Sequence, residues 1–373
     1  MTILRANTIS GLGTDGPVFD GSLEFNSQNY VILPKGTTGD RVGVGSTAGA
    51  LRYNTDSNKV ELWDGNQWVE VQSSRPDLNG GARGVFMGGE ITPGTPFSNV
   101  IDYVTISSTG NAIDFGDLQT GRRLGASCAS STRGLHGGGL AASPLSINNI
   151  IDFITIASTG NGQDFGDLIL SRYIHNGSCA SSTRGLWGGG YNTPPNSNVI
   201  DYVTIASTGN AVDFGDLTQS RKSLTALSSP IRGVWGGGDN PATVNTIDFI
   251  TISTLGNAFD FGDLSLGRYS LSSCSNSTRG LFGGGEVSGQ TNTIDYITIA
   301  SVGNAVKFGE LTAARHVLTA CSSSTRGVFG GGTGNSNVID YVSIQIQGNG
   351  VDFGDLSVAR QSLSACSNAH GGL

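Results

Sequence analysis

Charged side chains are scarce in this chain. They make up 13% of its 373 residues, about half the usual ~25%. Lysine occurs only at Lys35, Lys59, Lys222 and Lys307, and the net charge is −8. Such a chain has no basic face to neutralise phosphates, which excludes nucleic acid as a partner. Long apolar runs are missing too. Nothing approaches the ~20 apolar residues of a membrane helix, so no membrane insertion is expected. The opening "MTILRANTISGLG" lacks the apolar core of a secretory signal, so no export tag is expected. No segment sustains helical periodicity. The four histidines, His136, His175, His316 and His370, have no metal-ligand spacing. No Gly-x-Ser-x-Gly elbow stands in a strand–turn–helix context. The chain is therefore read as non-enzymatic, with no catalytic residues, metal or cofactor.

Glycine, in contrast, is abundant: 58 residues. Much of it falls in one recurring phrase. "TRGLHGGG" at 132–139 returns as "TRGLWGGG" at 183–190, "IRGVWGGG" at 231–238, "TRGLFGGG" at 278–285 and "TRGVFGGG" at 325–332, with a looser "ARGVFMGG" at 82–89. The arginines, from Arg83 to Arg326, are spaced by 50, 51, 48, 47 and 47 residues. Each unit holds four short segments. In the unit of Arg279 they are "RGLFGGG", "NTIDYITIAS", "NAVKFGEL" and "RHVLTACSSS". A Gly-Asn pair follows the second segment in all six copies, and it predicts a tight hairpin, because both residues tolerate positive φ. The units read as four-stranded antiparallel sheets, and six in series predict an all-β, six-bladed propeller, which protects sheet edges by radial repetition. The first copy lacks a leading segment and the last lacks a following one. The strand after Arg360 is therefore expected to pair beside residues 82–89 and close the ring.

These units resemble the kelch repeat family. In that family an apolar strand ends in Gly-Gly, two aromatics follow and an Arg closes the unit. Here Gly188, Gly189, Tyr202, Phe214 and Arg221 match that pattern. The second aromatic is Phe where the family favours Trp. The resemblance implies a kelch-like propeller over roughly residues 80–370 and a binding platform in preference to an enzyme.

The aromatic before the glycines is Phe86, His136, Trp187, Trp235, Phe282 or Phe329, and it is expected to pack between sheets. Cys128, Cys179, Cys274, Cys321 and Cys366 share one repeat position, which holds Leu227 in the remaining copy. That position reads as a small apolar slot with free thiols, since equivalent positions sit too far apart for disulfides. "DFGD" recurs five times and becomes "KFGE" at 307–310. It is read as structural, its second acid pairing with the next Arg, as Asp167 with Arg172; calcium is the rival reading. The regular Arg83-type arginines and the Asp of "ID", from Asp102 to Asp340, suggest a charge ladder. Chemistry repeated six times is scaffold; an active site breaks symmetry.

Symmetry breaks in the stretches after the glycines: "EITPGTPFS", "LAASPLSI", "YNTPPNS", "DNPATVN", "EVSGQTN" and "TGNS". These loops lie on the same face as the links between sheets, whereas the turns of the opposite face are nearly constant. Loops vary where a scaffold presents a binding surface. Phe97, Tyr191, Asn192, Asp239 and Glu286 are the expected ligand-binding residues, since aromatics and amides suit sugars.

Residues 1–76 lie outside the repeat, and residues 77–373 contain it. "GALRYNTDSNKVELWDGNQWVEV" predicts three strands with turns near "NTDSN" and at Asp64-Gly65. "ILPKGTTGDR" followed by this hairpin resembles a module of tailed-bacteriophage virion proteins, notably tail fibres. "MTILRANTISGLGTDGPVFDG" resembles the N-termini of structural proteins of cyanobacterial phages. The resemblance implies a virion protein whose residues 1–76 attach to other virion proteins or oligomerise, with a trimer as the default for a fibre. Its propeller would face host-surface polysaccharide as a tail-fibre or adhesin component. A capsid or tail decoration is the alternative. A glycan-trimming enzyme and an intracellular adaptor are further alternatives.

Overall fold

A computed structural model describes residues 33–41, 48–57, 59–70, 82–91, 97–142, 145–192 and 196–373. The chain divides into two compact units, Met1–Arg75 and Pro76–Leu373. The segment "MTILRANTISGLGTDGPVFDG" lies outside the described residues, as do parts of the loops at 92–96, 143–144 and 193–195.

In the first unit the hairpin forms as its sequence predicts. Leu51–Asn54 pairs antiparallel with Lys59–Trp63, and that strand with Trp68–Glu70. The second turn is fastened by the Asp64 carboxylate, which accepts the backbone N–H groups of Asn66 and Gln67, each at 2.8 Å. Lys35–Gly36 adds a parallel strand beside Tyr53 and Asn54. Glu61 is fully buried and sits between Arg41 and Arg52. Its carboxyl is held below the usual range, chiefly by the hydrogen bond from Arg41.

The second unit is all-β: a series of four-stranded antiparallel sheets, consistent with a propeller-like fold. The second sheet runs Ala126–Ala129, Arg133–Gly137, Ile150–Thr155 and Gln163–Asp167. Sheets led by Ser178–Ala180, Thr225–Ser228, Ser272–Ser275 and Thr319–Ser322 repeat that order. The first sheet takes its leading strand from the far end of the chain. Ser364–Ser367 pairs antiparallel with Arg83–Met87, Cys366 opposite Val85. Each leading strand touches the leading strand of the next sheet, and Ser364–Ser367 touches both Thr319–Ser322 and Ala126–Ala129.

The triple glycine serves this stacking with three separate close approaches. A Cβ on Gly188 would meet Nε1 of Trp235, from the next sheet, at 2.6 Å. Gly189, at φ +68°, lies against the Arg221 carbonyl, and Gly190, at φ +104°, against that of Tyr173. Only glycine allows both the left-handed backbone and the contact. Trp187 and Trp235 are fully buried between sheets and donate to the carbonyls of Ala126 and Gly177 at 3.0 and 3.1 Å. The five cysteines are buried and free. Cys128 Sγ lies 2.8 Å from where Gly185 would carry a Cβ, so the small slot and the glycine that follows each Arg fit each other.

Three sequence expectations are corrected. Arg172 does not pair with Asp167. It bonds Asp201 at 3.1 Å, both side chains being fully buried. The same pair recurs as Arg122–Asp152, Arg221–Asp248, Arg268–Asp295, Arg315–Asp340 and Arg360–Asp102, at 2.8–3.0 Å. This Arg also lends its backbone carbonyl to the preceding sheet, as Arg221 does to Gly190 N–H at 2.9 Å. Each pair thus fastens one repeat to the next. The Arg83-type arginines, the expected ladder partners, lie instead over aromatic rings, Arg83 4.8 Å from the Tyr103 centroid. Arg83 also donates to the carbonyls of Ile156 and Ala157 in the next sheet, at 2.9 and 3.0 Å.

The Gly-Asn pair, finally, is not the tip of a tight hairpin. The turn forms one step earlier, Ser108 N–H to Thr105 O. Gly160 instead donates to Phe115 O at 2.8 Å, and Asn161 Oδ1 accepts the Asp117 N–H at 3.1 Å. Asn210, Asn257, Asn304, Asn349 and Asn111 do the same on the sheets that precede theirs, at 3.0–3.1 Å. "DFGD" is therefore a docking strand. Its Phe is buried edge-on against Tyr or Phe at 5.8–6.1 Å. Its Gly makes room for the neighbour's turn, and its first Asp is exposed on the outer strand, where a charge discourages pairing with other chains.

Candidate functional site

The residue after each buried Arg stands where the chain enters a sheet. The six such residues are Arg123, Tyr173, Lys222, Tyr269, His316 and Gln361. In a repeat this regular, no two sheets that follow one another carry the same residue there. All six line one cavity of about 470 Å³. The residue after the glycines comes back to the same place. Glu90 bridges to Gln361, Tyr191 to Tyr173, Asp239 to Lys222 and Glu286 to Tyr269. The cavity is a cup whose wall is the least repetitive part of the unit.

Its floor is made of backbone. Leu124, His175, Ser223, Ser270, Val317 and Ser362, one per sheet, all hold left-handed φ of +50° to +58°. They are six of the seven non-glycine residues with positive φ among those described. The conformation lets N–H groups and carbonyls link in series around the floor. Ser270 donates to Ser223, Val317 to Ser270, Ser362 to Val317, Leu124 to Ser362 and His175 to Leu124, at 2.8–2.9 Å. A β-branched residue such as Val317 is strained there, and backbone strain collects at functional sites. Beneath the floor, Asn176 reaches Leu318 O at 2.7 Å and accepts from Thr319 Oγ1 at 3.0 Å. His175 beside it is 2% exposed, and burial lowers its pKa to about 4.

The wall pairs its charges. Arg123 binds Glu90, Lys222 lies 3.6 Å from Asp239, and His316 Nε2 lies 3.3 Å from Glu286. His316 Nδ1 meets Thr333 Oγ1 at 2.7 Å. Tyr173 and Tyr191 stack at 5.1 Å, and Lys222 Nζ lies 5.3 Å from the Tyr191 ring centre. Burial raises the pKa of Asp239 against the pull of Lys222, and lowers that of His316 against the pull of Glu286. Burial, followed by the bond to Glu286, raises that of Tyr269.

Of the residues expected from sequence, Asp239 lines the cup directly. Tyr191 and Glu286 touch lining side chains, and Phe97 lies under Arg123 at 4.7 Å. Asn192 follows Tyr191 but does not line the cup. The six residues after the buried arginines were missed, although the signal was present. Aligning the copies on that Arg leaves its following position as variable as the loops. Among the described residues, no group of three or more His, Cys, Asp or Glu side chains could hold a metal ion.

A second break in symmetry is buried. His136 replaces the Trp or Phe of the other sheets and bonds Ser127 Oγ at 2.9 Å and Ser364 Oγ at 2.8 Å. Met87 stands in the first sheet where the other five have the glycine of Gly188. Ser127 Oγ touches both, lying 3.7 Å from Met87 Sδ as well as against His136, so the smaller ring and the larger neighbour are read as sharing one space. Burial holds the His136 pKa well below its ordinary value, and the Arg122 charge adds to this.

Compared with family models and with curated proteins, the chain matches none.

Proposed function

We propose that the protein is a phage virion component, a tail-fibre or adhesin subunit, and that its second unit is a six-bladed, kelch-like propeller presenting the cup to host-surface polysaccharide. The pairing of Ser364–Ser367 with Arg83–Met87 and the cyclic contacts of the leading strands support the blade count and closure. The phage setting rests on the likeness of the N-terminal hairpin to virion modules; residues 1–76 would attach to other virion proteins.

One observation carries the binding role. Six-fold chemistry is buried and structural, whereas the side chains that differ between sheets gather around a single cavity with a strained floor. A purely structural decoration gains nothing from that divergence. The test is immunogold labelling of intact particles with antibody against residues 80–370. Label on tail tips or fibres supports attachment. Label spread over the head favours decoration, and its absence from particles removes the virion assignment.

A further inference from the structure

The cup also indicates what kind of ligand it takes. Its cationic side chains are already answered: Arg123 by Glu90, Lys222 by Asp239. His316 faces Glu286 in the same way. Among the described residues no unmatched cation lines the cup for a phosphate or carboxylate, and no acid cluster for a metal ion. What the wall offers is neighbouring donors and acceptors. A hydroxyl both donates and accepts, so a pair of adjacent hydroxyls can accept from Lys222 and donate to Asp239 together. Tyr173 and Tyr269 supply ring surface between these pairs. Aromatic walls with a few placed polar groups, around a cavity of this volume, are the usual make-up of a small-ligand site.

The floor sets the direction of entry. Its hydrogen-bonded backbone chain and Asn176 beneath close the cup, so a polymer cannot thread through it. On the opposite side the leading strands are capped by residues 368–373. His370 Nε2 contacts Ala129 O at 2.6 Å, and Gly371 and Gly372 are buried. A ligand enters from the mouth alone, which favours a chain end over a threaded chain.

We propose that the cup binds the terminal sugar of a neutral glycan end-on, its vicinal hydroxyls bridging Lys222 and Asp239 and its ring lying against Tyr173. This rests on the attachment reading above and gives it a ligand class.

The test uses the full chain, saturation-transfer NMR and calorimetry. The probes are the methyl glycosides of mannose, galactose and fucose, with methyl glucuronide as the anionic comparison. Binding of at least one neutral glycoside is expected, little changed by added salt. It should weaken roughly tenfold or more in both Lys222→Ala and Tyr173→Ala, each checked for an unchanged melting curve. Binding of the glucuronide alone, lost in salt, would overturn the proposal. So would binding of none of the four. Neutral-glycoside binding that survives both substitutions places the ligand elsewhere and refutes the cup, while leaving attachment to the particle-labelling result.

Discussion

The exchange of Met87 and His136 is a repeat rewritten at one seam, and it can be written back. In five neighbouring pairs of sheets an aromatic ring lies over a glycine, as Trp235 over Gly188 and Phe282 over Gly236. Between the first and second sheets the partners are Met87 and His136, both at most 1% exposed. Met87→Gly alone deletes a fully buried side chain, which costs about 2–5 kcal/mol, and adds about 0.5–1 kcal/mol for glycine in a strand. His136→Trp alone drives an indole into space that Met87 holds, an overpacking cost of about 1–3 kcal/mol. Together they restore the arrangement of Trp187, whose Nε1 donates to Ala126 O; the equivalent acceptor is Ser364 O. The double variant should lie within about 1.5 kcal/mol of the parent, a coupling of about 2 kcal/mol or more, well beyond the ~0.5 kcal/mol scatter of independent sites. Urea denaturation followed by circular dichroism gives the four free energies of the cycle. Additive losses would refute the argument that the two residues share one volume.

Other outcomes follow from the same packing. Asp248→Asn leaves the fully buried Arg221 guanidinium without its partner and should cost about 3–5 kcal/mol by denaturant titration; a loss below about 1 kcal/mol would contradict that burial. His175 is neutral in the fold, so the unfolded chain binds the extra proton. Stability should therefore fall as pH drops from about 6.5 to the folded value of about 4, by about 3 kcal/mol from this group, and His175→Gln should flatten that part of the pH profile. The native thiols should resist an exposed-thiol reagent until unfolding, since burial pushes Cys366 up to about 12 and raises the other four as well. A chain ending at residue 359 loses both the leading strand of the first sheet and the Arg360 partner of Asp102; it should lose cooperative melting, and an unchanged melting curve would argue against closure.

Much of this was legible because the chain states it six times. Sheet order, the aromatic between sheets and the apolar cysteine slot each follow from one position read across copies. The misreadings have a common physical origin. Closeness in sequence suggests Asp167 for Arg172, but Asp167 lies on an outer strand with its N–H given to Asn210. Only the fold brings Asp201, 29 residues on, against the guanidinium. Gly-Asn suggests a hairpin tip because both residues suit positive φ; here the pair, through the Gly N–H and the Asn side-chain oxygen, docks onto another sheet. Local propensity says what a residue can do, and the neighbouring repeat decides which option is used.

The same logic separates scaffold from site. A position that must fit both its own sheet and the next is held by two neighbours, and it repeats: Gly188, Trp235, Asp248. Where the chain turns into each sheet, backbone groups of Ser223, Ser270 and Val317 make inter-sheet bonds that do not depend on which side chain stands beside them. The side chain beside it is then released from the repeat. That is why Arg123, Tyr173, Lys222, Tyr269, His316 and Gln361 can differ without disturbing the sheets, and why their differences meet in one cup. The strained φ at the floor is the structural condition for that freedom. Replacing Ser270 by Gly should therefore stabilise the protein slightly, by about 1 kcal/mol or less, and leave the wall in place. A marked loss of stability from Ser270→Gly would show that the floor is held by its side chains, and the separation of scaffold from site would fail at that point.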